Sequence, residues 1–157
     1  MSSNPITTVT AVTPTISTSA YQANDAVGGR MTFAIPASSA AVGGGGSVLS
    51  LTVIDLSGQN AALNLFLFDQ PFTATADSAV FAPSAADLAN CLGVIQVQTS
   101  DYVSAGANGS VATVKGVGLA VRAINTAALL IYAQAMTTGT PTYALSALTF
   151  KLGLYTD

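Results

Sequence analysis

The side chains that run most protein chemistry are scarce in this chain of 157 residues. It has no His, no Glu and no Trp, and its acids are seven Asp, at positions 25, 55, 69, 77, 87, 101 and 157. Acid and base work would fall to those Asp, to Tyr, to Cys91, or to Lys115 and Lys151. A Ser-His or Cys-His pair is impossible. Paired Asp could support hydrolysis, but most stand beside turn residues, where a short carboxylate bonds neighbouring backbone N–H groups. Capping is their expected role, and no catalytic activity is expected. Metal ligation fares no better: the loop of spaced Asp and Gly that holds a hard cation is missing, and zinc would lack His and multiple Cys. Gly43 to Gly46 followed by Ser47 suggests a phosphate cradle, yet such a loop needs Lys before the hydroxyl residue, and here Gly46 stands there. It reads as a flexible loop between strands. Tyr102, Tyr132, Tyr143 and Tyr155 could stack on a sugar, but without Trp they read as packing at strand edges. Cys91 has no second Cys to bridge to, and burial as a small apolar residue is its expected fate. No cofactor is expected.

The elements that would position such residues are β-strands. Only 7% of the chain is charged, against about 25% in ordinary soluble domains, while Ala, Thr and Ser fill 62 of the 157 positions. An acid set made wholly of Asp favours turns over helix surfaces. The length suits one domain with a core of its own. Four Lys and Arg scattered at Arg30, Lys115, Arg122 and Lys151 make no basic patch, so nucleic acid is not an expected partner. Mean hydropathy is high and two stretches, Met31 to Ile54 and Ala123 to Phe150, carry no charge. The first contains Pro36 and the glycine run, the second Asn125, Gln134 and a Thr-Gly-Thr-Pro turn, so neither reads as a membrane-spanning helix. No membrane is expected, and Met1 to Pro5 shows no basic or apolar leader segment.

From Tyr21 onward, short runs alternate with period two between Gly, Asn and Pro turns. Met31, Phe33 and Ile35 share a face; Leu49, Leu51 and Val53 share another. Asp55 to Asn60 supplies turn chemistry before Leu63, Leu65 and Leu67, which reads as a hairpin, and Phe66 and Phe68 opposite those leucines place the second strand in the middle of a sheet. Ser84 three residues before Asp87 resembles a helix N-cap ahead of a short helical turn, with a structured loop as the equal alternative. Strands follow at Val94 to Gln98, Val111 to Lys115, Val117 to Ala123, Leu129 to Gln134 and Leu145 to Tyr155, with Leu148, Phe150, Leu152 and Leu154 on one face and Thr149, Lys151 and Tyr155 on the other. Eight or nine strands and no βαβ period predict an all-β, two-sheet β-sandwich. Jelly-roll topology is the first choice, with Gln70 to Leu92 as a crossover between sheets, and immunoglobulin-like topology stays open. Residues 1–20, rich in Thr and Ser with Pro5 and Pro14, read as an extended N-terminal arm ahead of one sandwich domain, 21–157. Ile6, Val9, Val12 and Ile16 are its candidate partner-binding residues, through strand addition at an exposed edge, with a frayed terminus as the alternative.

A surface built from Thr, Ser, Ala, Gly and Gln suits burial against neighbours, because desolvating hydroxyls and methyls costs far less than desolvating unpaired charge. Tyr21 to Gly29 (YQANDAVGG), Leu51 to Phe72 (LTVIDLSGQNAALNLFLFDQPF), Leu92 to Val97 (LGVIQV), Gly139 to Tyr143 (GTPTY) and Leu148 to Leu152 (LTFKL) together resemble small capsid decoration, or cement, proteins of tailed bacteriophages, over roughly residues 21–155. The resemblance implies a jelly-roll module that sits outside the phage head as a homodimer or homotrimer and clamps adjacent major capsid proteins. It implies a virion location on the capsid exterior after synthesis in the host cytoplasm. The matching motifs are structural and transfer no functional residue. A phage tail or receptor-binding sandwich, or a glycan-binding module, is the alternative.

Overall fold

In the computed structural model of the chain, residues 6–35, 45–122 and 129–156 are described. Two antiparallel sheets face each other. The larger holds β1 (Ile6–Val12), β3 (Gly45–Asp55), β6 (Tyr102–Ser104), β7 (Ser110–Arg122) and β9 (Leu148–Thr156), in the order β1-β9-β3-β7-β6. The smaller holds β2 (Ala26–Ile35), β4 (Leu63–Phe68), β5 (Cys91–Val97) and β8 (Leu129–Thr137), in the order β2-β8-β4-β5. β1 pairs with β9, β2 with β8, β3 with β7 and β4 with β5, so the chain is a doubled ribbon rolled into a sandwich, the jelly-roll topology. The protein is an all-β, two-sheet sandwich.

Alternation decides which side of each strand is core. Met31 and Phe33, Leu51 and Val53, Leu63, Leu65 and Leu67, Ile95 and Val97, and Leu148, Phe150, Leu152 and Leu154 all point between the sheets and are buried. Each such side chain contributes about 1.5–3 kcal/mol relative to staying exposed. β4 lies between β8 and β5, in the middle of its sheet as expected, and its outward Phe66 and Phe68 are covered by Phe81 and Phe72, with ring centroids 4.6 and 4.2 Å apart.

Several connections differ from the sequence reading. β3 and β4 do not form a hairpin; they lie in different sheets. The Asp55 to Asn60 turn is there, its carboxylate accepting from the Ser57 and Asn60 amides at 2.9 and 3.0 Å, but it turns a corner between layers. Turn chemistry and period two are the same in both geometries. Conversely, residues 69–90 are not a crossover: β4 and β5 are neighbours, from Leu63 opposite Val97 to Phe68 opposite Cys91, and the excursion joins them while folding over the outer face of their own sheet. Its helical turn α1 (Ala85–Leu88) is capped by Ser84, which accepts from the Asp87 amide at 3.0 Å. Val111 to Lys115 and the run from Val117 belong to one strand, β7, bulged at Gly116 and Gly118 with φ of 66° and 65°. The matching irregularity in β3 turns Leu49 outward, 39% exposed, while Val48 takes the inward place. Leu145 precedes β9 and is exposed, with Ser146 in a turn at φ 57°.

The N-terminal segment is extended, and it lies along its own sheet. Ile6 to Val12 pairs residue by residue with β9, from Ile6 opposite Thr156 to Val12 opposite Phe150, and Ile16 is 3% exposed in the core. Pro36, Gly43 and Gly44 of the glycine run, Ala123, Asn125 and Asp157 lie outside the described residues.

Candidate interaction face

Asp25, Asp55, Asp77, Asp87 and Asp101 hold nearby backbone or hydroxyl donors, while the Asp69 Oδ1 is buried without a hydrogen-bond partner among the described residues. Asp25 accepts from the Gln22 amide at 2.7 Å, Asp101 from the Gln98 amide at 2.7 Å, and Asp87 from the Ser84 hydroxyl at 2.8 Å. Asp77 accepts from three donors: the Gly28 amide at 2.6 Å, the Tyr21 hydroxyl at 2.7 Å and the Ser17 amide at 2.8 Å. Among the described residues no three His, Cys, Asp or Glu side chains come close enough together to hold a metal ion. The Cys91 thiol is half-buried and directed at the Gly93 carbonyl, 3.6 Å away. The four tyrosines do not gather on one surface: Tyr143 is core, Tyr102 donates to the Ala61 carbonyl at 2.9 Å, Tyr132 lies under the Arg30 guanidinium, and Tyr155 stands on the outer side of β9. Burial holds the phenols of Tyr21, Tyr102 and Tyr143 well above the usual range; the Tyr21 bond to Asp77 raises its phenol further.

The two outer faces of the sandwich differ. The excursion over the smaller sheet is fixed by Gln134, a buried amide on β8 that donates to the Gly28 and Thr75 carbonyls at 2.9 and 2.7 Å and accepts from the Thr75 amide at 3.1 Å. Arg30 adds a bond to the Phe72 carbonyl at 2.8 Å. This cover meets the apolar outer residues Phe66 and Phe68 and carries Asp69, Asp77 and Asp87.

Among the described residues nothing covers the outer face of the larger sheet, which is bare in that sense. Register aligns its side chains in four rows across the strands. Val103, Val111, Ile54 and Thr149 form the first, with Thr13 bonded to Thr149 at 2.8 Å. Thr113, Thr52, Lys151 and Ala11 form the second, and Lys115, Ser50, Gly153 and Val9 the third. Ala120, Ser47, Tyr155 and Thr7 form the fourth. Every side chain in them is exposed or half-buried. The face is wide and composed of hydroxyls and methyls, and among its described side chains are two lysines and no carboxylate. Ser50 lies over Gly153, where a Cβ would meet its hydroxyl, so the middle of the face is flat. Chemically such a surface can dock and hydrogen-bond.

Of the partner-binding residues expected from sequence, Val9 is 66% exposed in the third row. Val12 is half-buried against the core, and Ile16 is buried in the core. The side chain of Ile6 lies outside the described residues. Missed were the residues of β3, β7 and β9 that make the face. Thr149, Lys151 and Tyr155 were readable as one strand's outward side, but their alignment with Thr52, Ser50 and Lys115 depends on pairing across about a hundred residues of chain.

No protein-family model matches the chain, and no curated protein matches it. Among solved structures a chain of tomato aspermy virus, determined by X-ray crystallography, is similar at 15% identity, covering 99% of this chain and 79% of that one with a TM-score of 0.43. At that level the likeness carries no functional conclusion. No helix among the described residues is long and apolar enough to cross a membrane.

Proposed function

We propose that this is a structural virion protein that lies on the outer surface of a phage head and cements adjacent major capsid proteins, stabilising the expanded lattice. The observation that supports it is the bare face of the larger sheet, a broad docking surface of Thr, Ser, Ala and Val. Interface centres are depleted of charge in the same way, because hydroxyls and methyls are cheap to desolvate. A homodimer or homotrimer would present several such faces at once, and tethered weak contacts gain avidity without any new interaction. Binding the expanded lattice in preference to the unexpanded one stabilises it by mass action. Two lysines are too few to neutralise a phosphate backbone, so the partner is protein. No cofactor takes part, and the protein is made in the host cytoplasm before joining the exterior of the virion.

The experiment is light scattering of the purified protein followed by co-sedimentation with emptied, expanded heads. A stable oligomer that pellets at a fixed ratio to the major capsid protein, and raises the temperature at which heads break, is the expected result. A protein that ignores heads overturns the proposal, and a handful of copies per virion instead of hundreds would move it to the tail.

A further inference from the structure

The two lysines of the bare face identify what covers it. Lys115 on β7 is exposed and Lys151 on β9 is half-buried, and both project outward, since the residues that alternate with Lys151 are buried between the sheets. β3 runs between their strands, with Ser50 opposite Lys115 and Thr52 opposite Lys151. Two strand spacings across and two residues along put their Cα atoms about 12 Å apart. Among the described residues neither lysine has an ion-pair partner, and no Asp lies in the four rows. The chain carries a net charge of -3, yet this face is positive.

We infer that the bare face docks a protein surface bearing carboxylates opposite Lys115 and Lys151, and not a second copy of this chain. The inference rests on the cementing proposal for the existence of a partner and adds its chemistry. An occupant made only of hydroxyls and methyls would bury two ammonium groups without counter-charge, which costs several times what the surrounding Thr and Ser cost to desolvate. An occupant with carboxylates satisfies them. Packing two copies face to face about a twofold axis brings lysines toward lysines across the same flat surface, a like-charge arrangement that disfavours self-association and favours an acidic partner. Stacking the face on another copy's covered side would supply acid, but Asp77 and Asp87 there are already engaged with their own backbone and hydroxyl donors, the Asp69 Oδ1 is buried, and a head-to-tail contact would run on into a filament. The hydroxyl rows around the lysines donate and accept alike, so position is fixed mainly by the two charges.

The test is lysine acylation footprinting by mass spectrometry, on the free protein and on the protein as it sits in purified virions, together with binding of a Lys115→Glu/Lys151→Glu variant to emptied heads. Expected are two reactive lysines in the free protein, at least tenfold protection of both in the virion, and at least a hundredfold loss of head binding by the double Glu variant with its oligomeric state and far-ultraviolet spectrum unchanged. A Lys115→Gln/Lys151→Gln variant should lose about tenfold, and wild-type binding should weaken with added salt. Lysines equally reactive in both states, or a double Glu variant that binds normally, overturn this inference and leave cementing standing. Absence of the protein from virions overturns cementing and the inference with it. Cross-links joining Lys151 of one copy to Lys151 of another overturn the acidic partner in favour of self-pairing.

Discussion

Replacing Asp77 by Ala should unfasten the N-terminal segment from the excursion. The carboxylate accepts the Gly28 amide at 2.6 Å, the Tyr21 hydroxyl at 2.7 Å and the Ser17 amide at 2.8 Å, so one side chain joins residues 17–28 to the loop that covers the smaller sheet. Hydrogen bonds to a charged acceptor contribute about 1.5–3 kcal/mol each. Three that share one half-buried carboxylate do not add fully, because water enters the vacated space and the Tyr21 hydroxyl keeps its bond from the Ser17 amide at 2.9 Å. The net cost expected is about 3–4 kcal/mol, a large part of the roughly 5–15 kcal/mol that holds a domain together. For a chain of this length each kcal/mol moves Tm by about 2–4 °C, so Tm should fall by about 10 °C. Asp77→Asn keeps one acceptor oxygen but turns an amide N–H toward the donors, and should lose about 2 kcal/mol. Urea unfolding at constant m measures both losses, and proteolysis should open the segment between Pro14 and Gly28 before the rest. An Ala variant within about 0.5 kcal/mol of wild type, with unchanged proteolysis, would refute the reasoning.

Gln134→Glu, nearly the same shape, would aim a carboxylate at the Gly28 and Thr75 carbonyls in a buried site. The substituted carboxyl would have a raised pKa, so the loss, about 3 kcal/mol at neutral pH, should shrink as the pH falls through the raised value toward the usual carboxylate range and change no further below it; urea midpoints at two pH values read it. Gly109→Ala meets a different obstacle: φ is 101° and a Cβ would overlap the Asp55 carbonyl oxygen and crowd Leu56, so a cost of about 2–4 kcal/mol is expected in thermal unfolding. Alkaline stability follows from Tyr21 and Tyr143, 0% and 2% exposed, whose phenols burial holds protonated in the fold. Their contribution is complete below about pH 10, where the unfolded chain begins to ionise, and is lost as the pH climbs toward the folded values, at about 1.4 kcal/mol per unit per ring. The pair should therefore lose about 3 kcal/mol between pH 8 and pH 11; an unchanged urea midpoint would contradict it.

Strand interiors were legible because the core is built by alternation that needs no partner to be seen. Leu148, Phe150, Leu152 and Leu154 stand out, as do Leu63, Leu65 and Leu67 with phenylalanines on the reverse. Sheet membership was not legible, because Asp55 to Asn60 makes the same hydrogen bonds at a corner as at a hairpin. β1 was hidden for a further reason. It is an edge strand whose outward side carries Thr7, Val9 and Ala11 while Thr10 falls on the inward side, so polar and apolar residues do not alternate and the segment reads as a loose arm. The face was half legible: Thr149, Lys151 and Tyr155 fell on one side of one strand, but Ser50 meets Gly153 only because a bulge turns Leu49 out. Gln134 was visible as a polar residue in an apolar run, and its clamp on Thr75 needed the fold.

A sandwich with so few charges has two outer faces on which it could stick to itself, and the chain treats them differently. The face that would be most adhesive, with Phe66 and Phe68 on β4, is closed by the molecule's own excursion, where Phe72, Phe81 and the Gln134 clamp replace any external partner. The face left open is the less adhesive one, in which hydroxyls remain solvated until a partner arrives and two lysines oppose pairing with another copy. In the docking proposed above, cover on one side and charge on the other leave a single orientation, larger sheet inward and excursion outward. Loosening the cover, as Gln134→Glu should, exposes Phe66 and Phe68 and predicts self-association without loss of the bare face, whereas the lysine variants should impair docking without self-association. The two defects separate in one light-scattering experiment, and a Gln134→Glu protein that stays dispersed with its excursion open would show that the cover does not serve to prevent self-association.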